Sequence, residues 1–291
     1  MITGCRQRGS RGVQTGQAGL RGGNMAKFFA VTIFVIAIVS AIPILRHTWW
    51  LAPDISTHGA PIDEQMSETM AEAGISFLAS QIILAWFIWR FSGSRSGEKV
   101  KNFPGGAKAM VWAAFLLVGT EVLVLGVVGA KAWGNVYFTP PSANAMPVQV
   151  QAGQFAFYFR YPGPDGKFAA IHPDKISEAN QNFYGLDTDN DPDAKDDVVT
   201  AEMAVPVNRE VHLLMHSKDV GHSFFVPELR IQQDFVPGLD LSVHFTATKI
   251  GRYEIVCTQL CGLGHYNMKA YLSVLSQEDF DAWMKKQAAL Q

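Results

Sequence analysis

Three long apolar runs in the first half of the chain restrict its fold more than any other feature. They cover residues 28–45, 73–91 and 109–130, and Glu121 is the one ionisable side chain well inside them. At a helical rise of about 1.5 Å per residue, each run reaches across the roughly 30 Å hydrocarbon core of a bilayer. The sequence therefore predicts a membrane region over 25–145 with two or three transmembrane helices. The number depends on the first run, which is either a retained anchor or a cleavable secretory signal.

Basic side chains predict the orientation of these helices. Lysine and arginine are concentrated before the first run and between the second and the third, and loops rich in these residues stay in the cytoplasm. The chain after Lys131 should therefore lie on the outer side of the membrane. Residues 1–24 are rich in Gly, Arg and Gln, which predicts a disordered tail, and translation could begin at either Met1 or Met25.

The balance of charged and apolar residues argues against two classes of protein. Only 17% of the 291 residues are charged and 48% are hydrophobic, which rules out an intrinsically disordered chain. Residues 1–145 carry a net charge of +5, and residues 146–291 carry −7. A nucleic-acid partner is not expected, because the outer half that would have to bind it is acidic.

From residue 146 onward the pattern changes to short alternating segments. Apolar residues recur with a period of two at Phe155, Phe157, Phe159 and Tyr161, which is typical of a strand. With Gly/Pro turns between them, about seven strands predict an antiparallel sandwich or barrel. A final helix is predicted over 277–288, with Ser276 as its N-cap. The remaining predicted strands cover 148–152, 210–216, 231–235, 241–246, 253–257 and 270–275.

Residues 162–204 interrupt the strand pattern with an acidic insertion. It holds ten carboxylates and three lysines, and its aspartates at 187, 189, 191 and 193 resemble a calcium-binding loop. Pro192, however, occupies the position where such a loop requires glycine, and Val198 replaces the closing glutamate. A solvated acidic surface is the favoured interpretation.

A cluster of metal-binding side chains lies near the C-terminus. Within twelve residues the chain carries Cys257, Cys261, His265 and Met268. Thiolates together with imidazole select copper or zinc, and a thioether ligand is typical of copper rather than of structural zinc sites. Because Cys5 is the only other cysteine, a disulfide framework is not expected.

A second histidine ligand must come from another part of the chain. His222 is the best candidate, because it lies in a predicted loop after a strand. His212 and His216 belong to the predicted strand at 210–216, where a histidine is more often packed or solvated. The remaining histidines of this half are His172 and His244.

Three sequence segments and the membrane hairpin before them resemble subunit II of the haem-copper cytochrome c oxidases. The segments are DVGHSFFVP at 219–227, DFVPG at 234–238 and GRYEIVCTQLCGLGHYNM at 251–268. The resemblance implies a membrane α-helical hairpin followed by an all-β, cupredoxin-like Greek-key sandwich on the periplasmic side of a bacterial inner membrane. It also implies that the chain accepts electrons from cytochrome c and passes them to haem in subunit I, where oxygen is reduced to water and protons are translocated.

The resemblance assigns a binuclear copper centre, called CuA, to the cysteine motif. Both thiolates would bridge the two copper ions, each histidine would be a terminal ligand of one ion, the methionine would be a weak ligand, and one backbone carbonyl would complete the set. The family's aromatic electron-entry residue corresponds to Phe155. Implied partners are subunit I with its haem and CuB, other oxidase subunits and cytochrome c. The implied copper ligands are His222, Cys257, Gln259, Cys261, His265 and Met268.

Two positions depart from the family pattern. Gln259 stands where the family usually carries glutamate, whose carboxylate helps to bind magnesium at the contact with subunit I. An amide is a poorer ligand for a hard cation, so the resemblance does not carry the magnesium site over to this chain. Phe155 stands where the family usually carries tryptophan. No CxxCH motif occurs in the sequence, so the electron donor should be a separate protein.

Alternatives remain for the function and for Glu121. The CuA subunit of a nitric oxide reductase would differ mainly in subunit I, and a copper chaperone is disfavoured by Gly262, His265 and Met268. The family's proton-uptake glutamate corresponds to Ala109, so that role does not transfer to Glu121. A carboxyl group at bilayer depth indicates a functional site. Either it faces subunit I and joins a proton path, or it hydrogen-bonds to another helix.

Overall fold

A computed structural model describes residues 16–46, 51–91 and 108–290 of the protein. Helix α1 begins at Gly16, inside the stretch 1–24 for which the sequence predicted a disordered tail. Residues 1–15, which include Cys5, lie outside the described part of the chain.

Three helical segments match the three apolar runs. Each is long and apolar enough to cross a membrane, by length and composition. The second and third helical segments extend beyond the predicted runs, because the helix continues through the polar residues next to each run. Between α3 and α4 the same helix contains one π-helical stretch. The bounds are α1 Gly16–Leu45, α2 Gly59–Phe91, α3 Lys108–Val124, the π-helical stretch Leu125–Gly129, and α4 Ala130–Tyr137.

The rest of the described chain forms two five-stranded sheets and a final helix. One sheet has the strand order β3-β2-β1-β5-β8, and the other has the order β4-β10-β9-β6-β7. Apolar helices followed by a β-sandwich confirm the predicted fold class. The bounds are β1 Met146–Gly153, β2 Ala156–Tyr161, β3 Val198–Thr200, β4 Met203–Pro206, β5 Glu210–Ser217, β6 His222–Val226, β7 Ile231–Phe235, β8 Leu241–Thr246, β9 Gly251–Val256, β10 Lys269–Leu275 and α5 Gln277–Ala288.

The prediction of purely antiparallel sheets is wrong. Strand β1 pairs in parallel with β5, and β4 pairs in parallel with β10, so both sheets are mixed. Parallel neighbours join segments that are distant in sequence, and a local alternating pattern does not encode that pairing. The alternation itself is confirmed, because Phe157, Phe159 and Tyr161 are buried in the core between the sheets. Ser276 caps α5 by accepting a hydrogen bond from the Asp279 amide, as predicted.

The boundary predicted at residue 146 differs from the compact units of the structure. One unit contains Leu51–Ser67 together with Val122–Gln291, so the sandwich includes a segment that precedes α2. Ile55 of that segment is buried in the sandwich core, and its amide donates to the Glu228 carbonyl at 3.0 Å. The Arg230 guanidinium binds Asp63 near the start of α2, with Nε 2.6 Å from Oδ1.

The acidic insertion has more structure than the sequence indicated. Strand β3 lies inside it, and Tyr184 and Leu186 form a small second core with Ala169 and Ala194. Close to this small core, the buried Arg160 guanidinium binds the buried Asp197 carboxylate. The insertion is therefore anchored to β2 rather than being a fully solvated loop.

Candidate metal centre

The predicted ligands converge at one end of the sandwich. His222 is the first residue of β6, and the other ligands lie in the connection between β9 and β10. The turn between β1 and β2 approaches the same place from the other sheet, since the Gln154 side chain donates to the Cys261 carbonyl at 2.6 Å. The centre is therefore built from both sheets.

Sulfur and imidazole donors lie close together at this end. The Sγ atom of Cys257 is 3.9 Å from that of Cys261. The Cys261 sulfur is 3.6 Å from His265 Nδ1 and 3.7 Å from Met268 Sδ. Ligand atoms of His222, Cys257 and Cys261 all lie within 4.8 Å of one another, and all three residues are buried. The structure thus brings together all four side chains of the cysteine motif and the distant histidine.

His222 differs from its prediction in one respect. It begins a strand rather than occupying a loop, because residues 222–226 pair with β7. Its Nε2 lies 2.8 Å from Oδ1 of Asp219. Its Nδ1 is buried and has no hydrogen-bond partner in the described chain. A buried imidazole nitrogen without a partner is unfavourable unless another group, such as a metal ion, takes its lone pair.

The loop between β9 and β10 is folded tightly by backbone hydrogen bonds. The Cys257 amide donates to the Met268 carbonyl at 3.2 Å, and this bond closes the loop. Gly262 has a φ of +137°, a conformation that favours glycine. The Gln259 carbonyl oxygen lies 3.1 Å from Cys257 Sγ, whereas the Gln259 side chain is exposed. The carbonyl, and not the amide side chain, therefore points at the sulfur cluster.

Burial changes the protonation of this site. It raises the pKa of the Cys261 thiol to about 11, and the neighbouring Cys257 adds to the increase. Metal binding requires the thiolate, so uptake of an ion at neutral pH must release protons. Burial alone would raise the pKa of Asp219, but hydrogen bonds from Gln154 and His222 outweigh it and hold that pKa below its ordinary value.

Two residues that support the ligands were not identified as such from the sequence. Asp219 connects His222 to the turn between β1 and β2. Its Oδ1 atom is hydrogen-bonded to His222, and its Oδ2 atom accepts a hydrogen bond from the backbone amide of Gln154 at 2.8 Å. The spacing of three between Asp219 and His222 could have suggested this contact. Gln154 could not have been found in that way, because its contact with Cys261 spans 107 positions of the chain.

Phe155 packs directly on the ligand loop. A Cβ added at Gly262 would lie 3.1 Å from its ring, and one added at Gly264 would overlap that ring. Phe155 is nevertheless 40% exposed, so its ring touches both the loop and the solvent. In the loop itself, Leu263 and Tyr266 are 96% and 90% exposed. The metal centre thus lies beneath an apolar surface.

The other sequence candidates lie apart from this cluster. His212 and His216 lie in β5 as predicted, half-buried and exposed respectively, and neither belongs to the group of close ligand atoms. Glu121 lies in α3 and is exposed.

Apolar helices joined to a β-sandwich with a buried sulfur–imidazole centre define a class of membrane-attached metalloprotein. A family model described as "Cytochrome C oxidase subunit II, periplasmic domain" matches residues 181–275. The chain is 32% identical over 262 residues to the alternative cytochrome c oxidase subunit 2 of Bradyrhizobium diazoefficiens, covering 89% of this chain and 91% of that one. The chain belongs to the cytochrome c oxidase subunit 2 family.

The chain is also similar to a second relative and to a solved structure. Cytochrome c oxidase subunit 2 of Thermostichus vulcanus is 26% identical over 267 residues, covering 84% of this chain and 80% of the relative. Among solved structures, the periplasmic domain of subunit II of cytochrome oxidase from Bradyrhizobium japonicum superposes with a TM-score of 0.38 at 24% identity. That superposition covers 51% of this chain and 96% of the other.

Proposed function

We propose that this chain is the electron-entry subunit of a haem-copper cytochrome c oxidase. Electrons from cytochrome c would enter at a binuclear CuA centre and pass to haem in subunit I, which reduces oxygen to water and translocates protons. The observation that carries the proposal is the unpartnered Nδ1 of His222, buried next to the thiols of Cys257 and Cys261. Such a site suits an electron relay rather than a substrate pocket.

The donor set fits copper. Two thiols, two imidazoles and a thioether are soft or borderline ligands, and this combination selects copper over the hard cations. The proposed ligands are His222, Cys257, Cys261, His265, Met268 and the backbone carbonyl of Gln259. Copper held by these ligands would supply a one-electron relay. Magnesium is not part of the proposal, because Gln259 offers no carboxylate.

Residues around the ligands keep them in place. The Asp219 carboxylate holds His222 by Nε2, which leaves the buried Nδ1 available to a metal ion. The Gln154 side chain holds the Cys261 carbonyl, and the backbone bond between Cys257 and Met268 closes the loop. Ligands fixed in this way move little when the oxidation state changes, and a rigid site favours rapid electron transfer.

Phe155 is the proposed point of electron entry. Its ring contacts the ligand loop on one side and solvent on the other, so a docked donor could approach the centre through it. The acidic outer half would attract a basic donor such as cytochrome c over a long range. Asp234 and Asp240 are exposed at the end of β7 and just after it, and β7 pairs with the strand that begins at His222.

The proposed location is the bacterial inner membrane, with the sandwich on the periplasmic side. Three helices have the length and composition to cross a bilayer, and the distribution of basic residues predicts their orientation. Within α3 we place Glu121 against subunit I. An ionisable side chain facing lipid costs several kcal/mol, whereas a neighbouring subunit can offer a hydrogen-bond donor or a polar path.

Copper analysis of the purified full-length chain tests the proposal. We expect two copper ions per chain and an electron spin resonance spectrum with hyperfine splitting from two equivalent copper nuclei. Cys257→Ser should abolish that spectrum, whereas the control Ser273→Ala, on β10 outside the ligand loop, should retain it. One copper ion per chain, or zinc alone, would contradict the binuclear assignment.

A further inference from the structure

Three further histidines lie together on the outward face of the sandwich, away from the sulfur cluster. His212 of β5 and His244 of β8 are directly opposite each other in the antiparallel pair. Their neighbours along each strand are buried in the core, so both imidazoles lie on the opposite face of the sheet. Directly opposed side chains in such a pair have Cβ atoms about 4.5–5.5 Å apart.

His58 reaches the same place from the segment before α2. That segment extends the sheet, since Ser56 forms a bridge with Ala247 and the Thr57 amide donates to the Thr246 carbonyl at 3.2 Å. His58 therefore follows a short strand-like stretch at the free edge of β8. His244 is close enough to lower the pKa of His58, so these two rings are neighbours.

All three rings share an unusual feature. The Nε2 atoms of His58, His212 and His244 are each buried and have no hydrogen-bond partner in the described chain. Buried polar atoms nearly always have a hydrogen-bond partner, so three buried nitrogens without one on neighbouring segments of the sheet need an explanation. Burial lowers the pKa of His58 and of His212, and His244 lowers both further. The first two rings are therefore neutral near pH 7, with lone pairs available for a ligand.

The opposite ring nitrogens are held as in metal sites. His244 Nδ1 lies 2.8 Å from Oε1 of Glu210. The backbone of Leu229 hydrogen-bonds to His58, and the orphaned Nε2 leaves Nδ1 as the bonded atom. A metal-binding histidine almost always donates its other N–H to a carboxylate or a backbone carbonyl, which fixes the ring orientation. Two of the three rings thus already have the supporting contact that a metal ligand needs.

We propose that His58, His212 and His244 form a second metal site, which binds a borderline divalent ion such as Zn²⁺ through the Nε2 atoms. Imidazole suits zinc and copper and does not suit magnesium or calcium, which prefer oxygen ligands. Within the described residues, only His222, Cys257 and Cys261 place three ligand atoms within 4.8 Å of one another. Ion binding would therefore require the rings of His58, His212 and His244 to rotate toward one another. The site is independent of the proposed electron relay.

Zinc binding to the full-length chain tests the proposal. The measurement uses the double variant Cys257→Ser, Cys261→Ser, so that zinc cannot occupy the sulfur cluster. We expect one Zn²⁺ per chain after removal of excess ion, and a zinc X-ray absorption spectrum dominated by imidazole nitrogen. A spectrum with only water or carboxylate oxygen, or no retained zinc, would overturn the proposal and leave water as the partner of the three nitrogens.

Variants of the supporting residues sharpen the test. Glu210→Gln should weaken zinc binding by about 10–100-fold, the usual effect of losing a hydrogen bond to a ligand. His244→Gln and His212→Gln should weaken it at least as strongly. The matched control is His216→Gln, because His216 lies on β5 with an exposed ring. Equal zinc affinity in all four variants would refute the site. Each variant is also made in the chain with intact cysteines. An unchanged copper content there shows that the variant folds. A loss of zinc binding then concerns only the histidine site and not the proposed function.

Discussion

The imidazole of His222 lies with Nε2 2.8 Å from Oδ1 of Asp219, and this contact leaves Nδ1 as the ring nitrogen without a hydrogen-bond partner among the described residues. The same carboxylate accepts a hydrogen bond from the backbone amide of Gln154 at 2.8 Å, so one side chain orients a ligand and also anchors the turn that carries Phe155. Asp219 thus helps to position both the metal centre and its aromatic neighbour.

Asp219→Ala should weaken copper binding by about 10–100-fold, because His222 loses the partner that fixes its ring. Asp219→Asn should have a smaller effect, since the amide oxygen can still accept the histidine N–H. Competition titration with a copper chelator measures both affinities. Asp240→Asn is the control, because that carboxylate is exposed and contacts no proposed ligand. Wild-type affinity in Asp219→Ala would show that the loop alone orients His222.

Gly264→Ala should slow electron entry without removing copper. The added methyl group overlaps the ring of Phe155, so the ring must move away from the ligand loop. We expect an unchanged copper spectrum and a reduced rate of cytochrome c oxidation by the assembled complex. Gly221→Ala is a matched control next to His222, because its added carbon would meet its nearest atom at 3.7 Å. Equal rates in the two variants would remove Phe155 from the entry path.

Oxidation of a basic cytochrome c should slow as ionic strength rises, because salt screens the attraction between the two proteins. Asp234→Asn together with Asp240→Asn should raise KM with little change in kcat. Glu278→Gln removes an exposed carboxylate from α5 and serves as the control. Stopped-flow measurements at increasing salt concentrations report both effects. Rates that do not depend on salt would contradict an acidic docking surface.

The sandwich should lose stability as the pH falls below about 6.5, the ordinary pKa of histidine. Burial lowers the folded-state pKa of His58 and of His212, so the unfolded chain binds more protons in that range. The free energy of unfolding therefore increases with pH there. Denaturant unfolding in the presence of a chelator measures the slope, which His58→Gln should reduce. The control Ser273→Ala, which removes no imidazole, should leave the slope unchanged.

Glu121→Gln separates the two roles open to this carboxyl group. The amide keeps the capacity to hydrogen-bond but cannot titrate. If Glu121 joins a proton path, the variant should assemble with full copper and haem content and show reduced turnover and proton uptake between about pH 6 and 9. Unchanged turnover and proton uptake would instead assign Glu121 a structural hydrogen bond between helices. Thr120→Val is the control, since the Thr120 hydroxyl is bonded within its own helix.

Local sequence patterns predicted much of the fold. The features that they failed to predict have two physical causes. Strands β7 and β8 were predicted with the observed bounds, because turn residues delimit both. Strands β4 and β6 were missed because nearly every residue in them is buried, so that no alternation marks them. The parallel pairing of β1 with β5 was missed because it depends on contacts far apart in sequence.

The metal centre was likewise predictable only in part. Four of its side chains fall within one short segment, where spacing and residue type alone indicate copper or zinc. His222, chosen from several histidines, is the one that the structure places next to the two thiols, although its strand was not predicted. The contact between Gln154 and Cys261 was not predictable, because it forms only when the two sheets come together.

The burial of Ile55 in the sandwich has a consequence for how the protein is made. Ile55 precedes α2, whereas the strands that enclose it follow α4, so the two parts of one core are separated by a membrane hairpin. In the proposed topology, the core can therefore close only after both flanking segments have been exported. A fragment that begins at residue 146 would lack this side chain, and loss of a buried isoleucine costs about 2–5 kcal/mol. In the proposed topology, completion of the outer domain thus follows insertion of the hairpin.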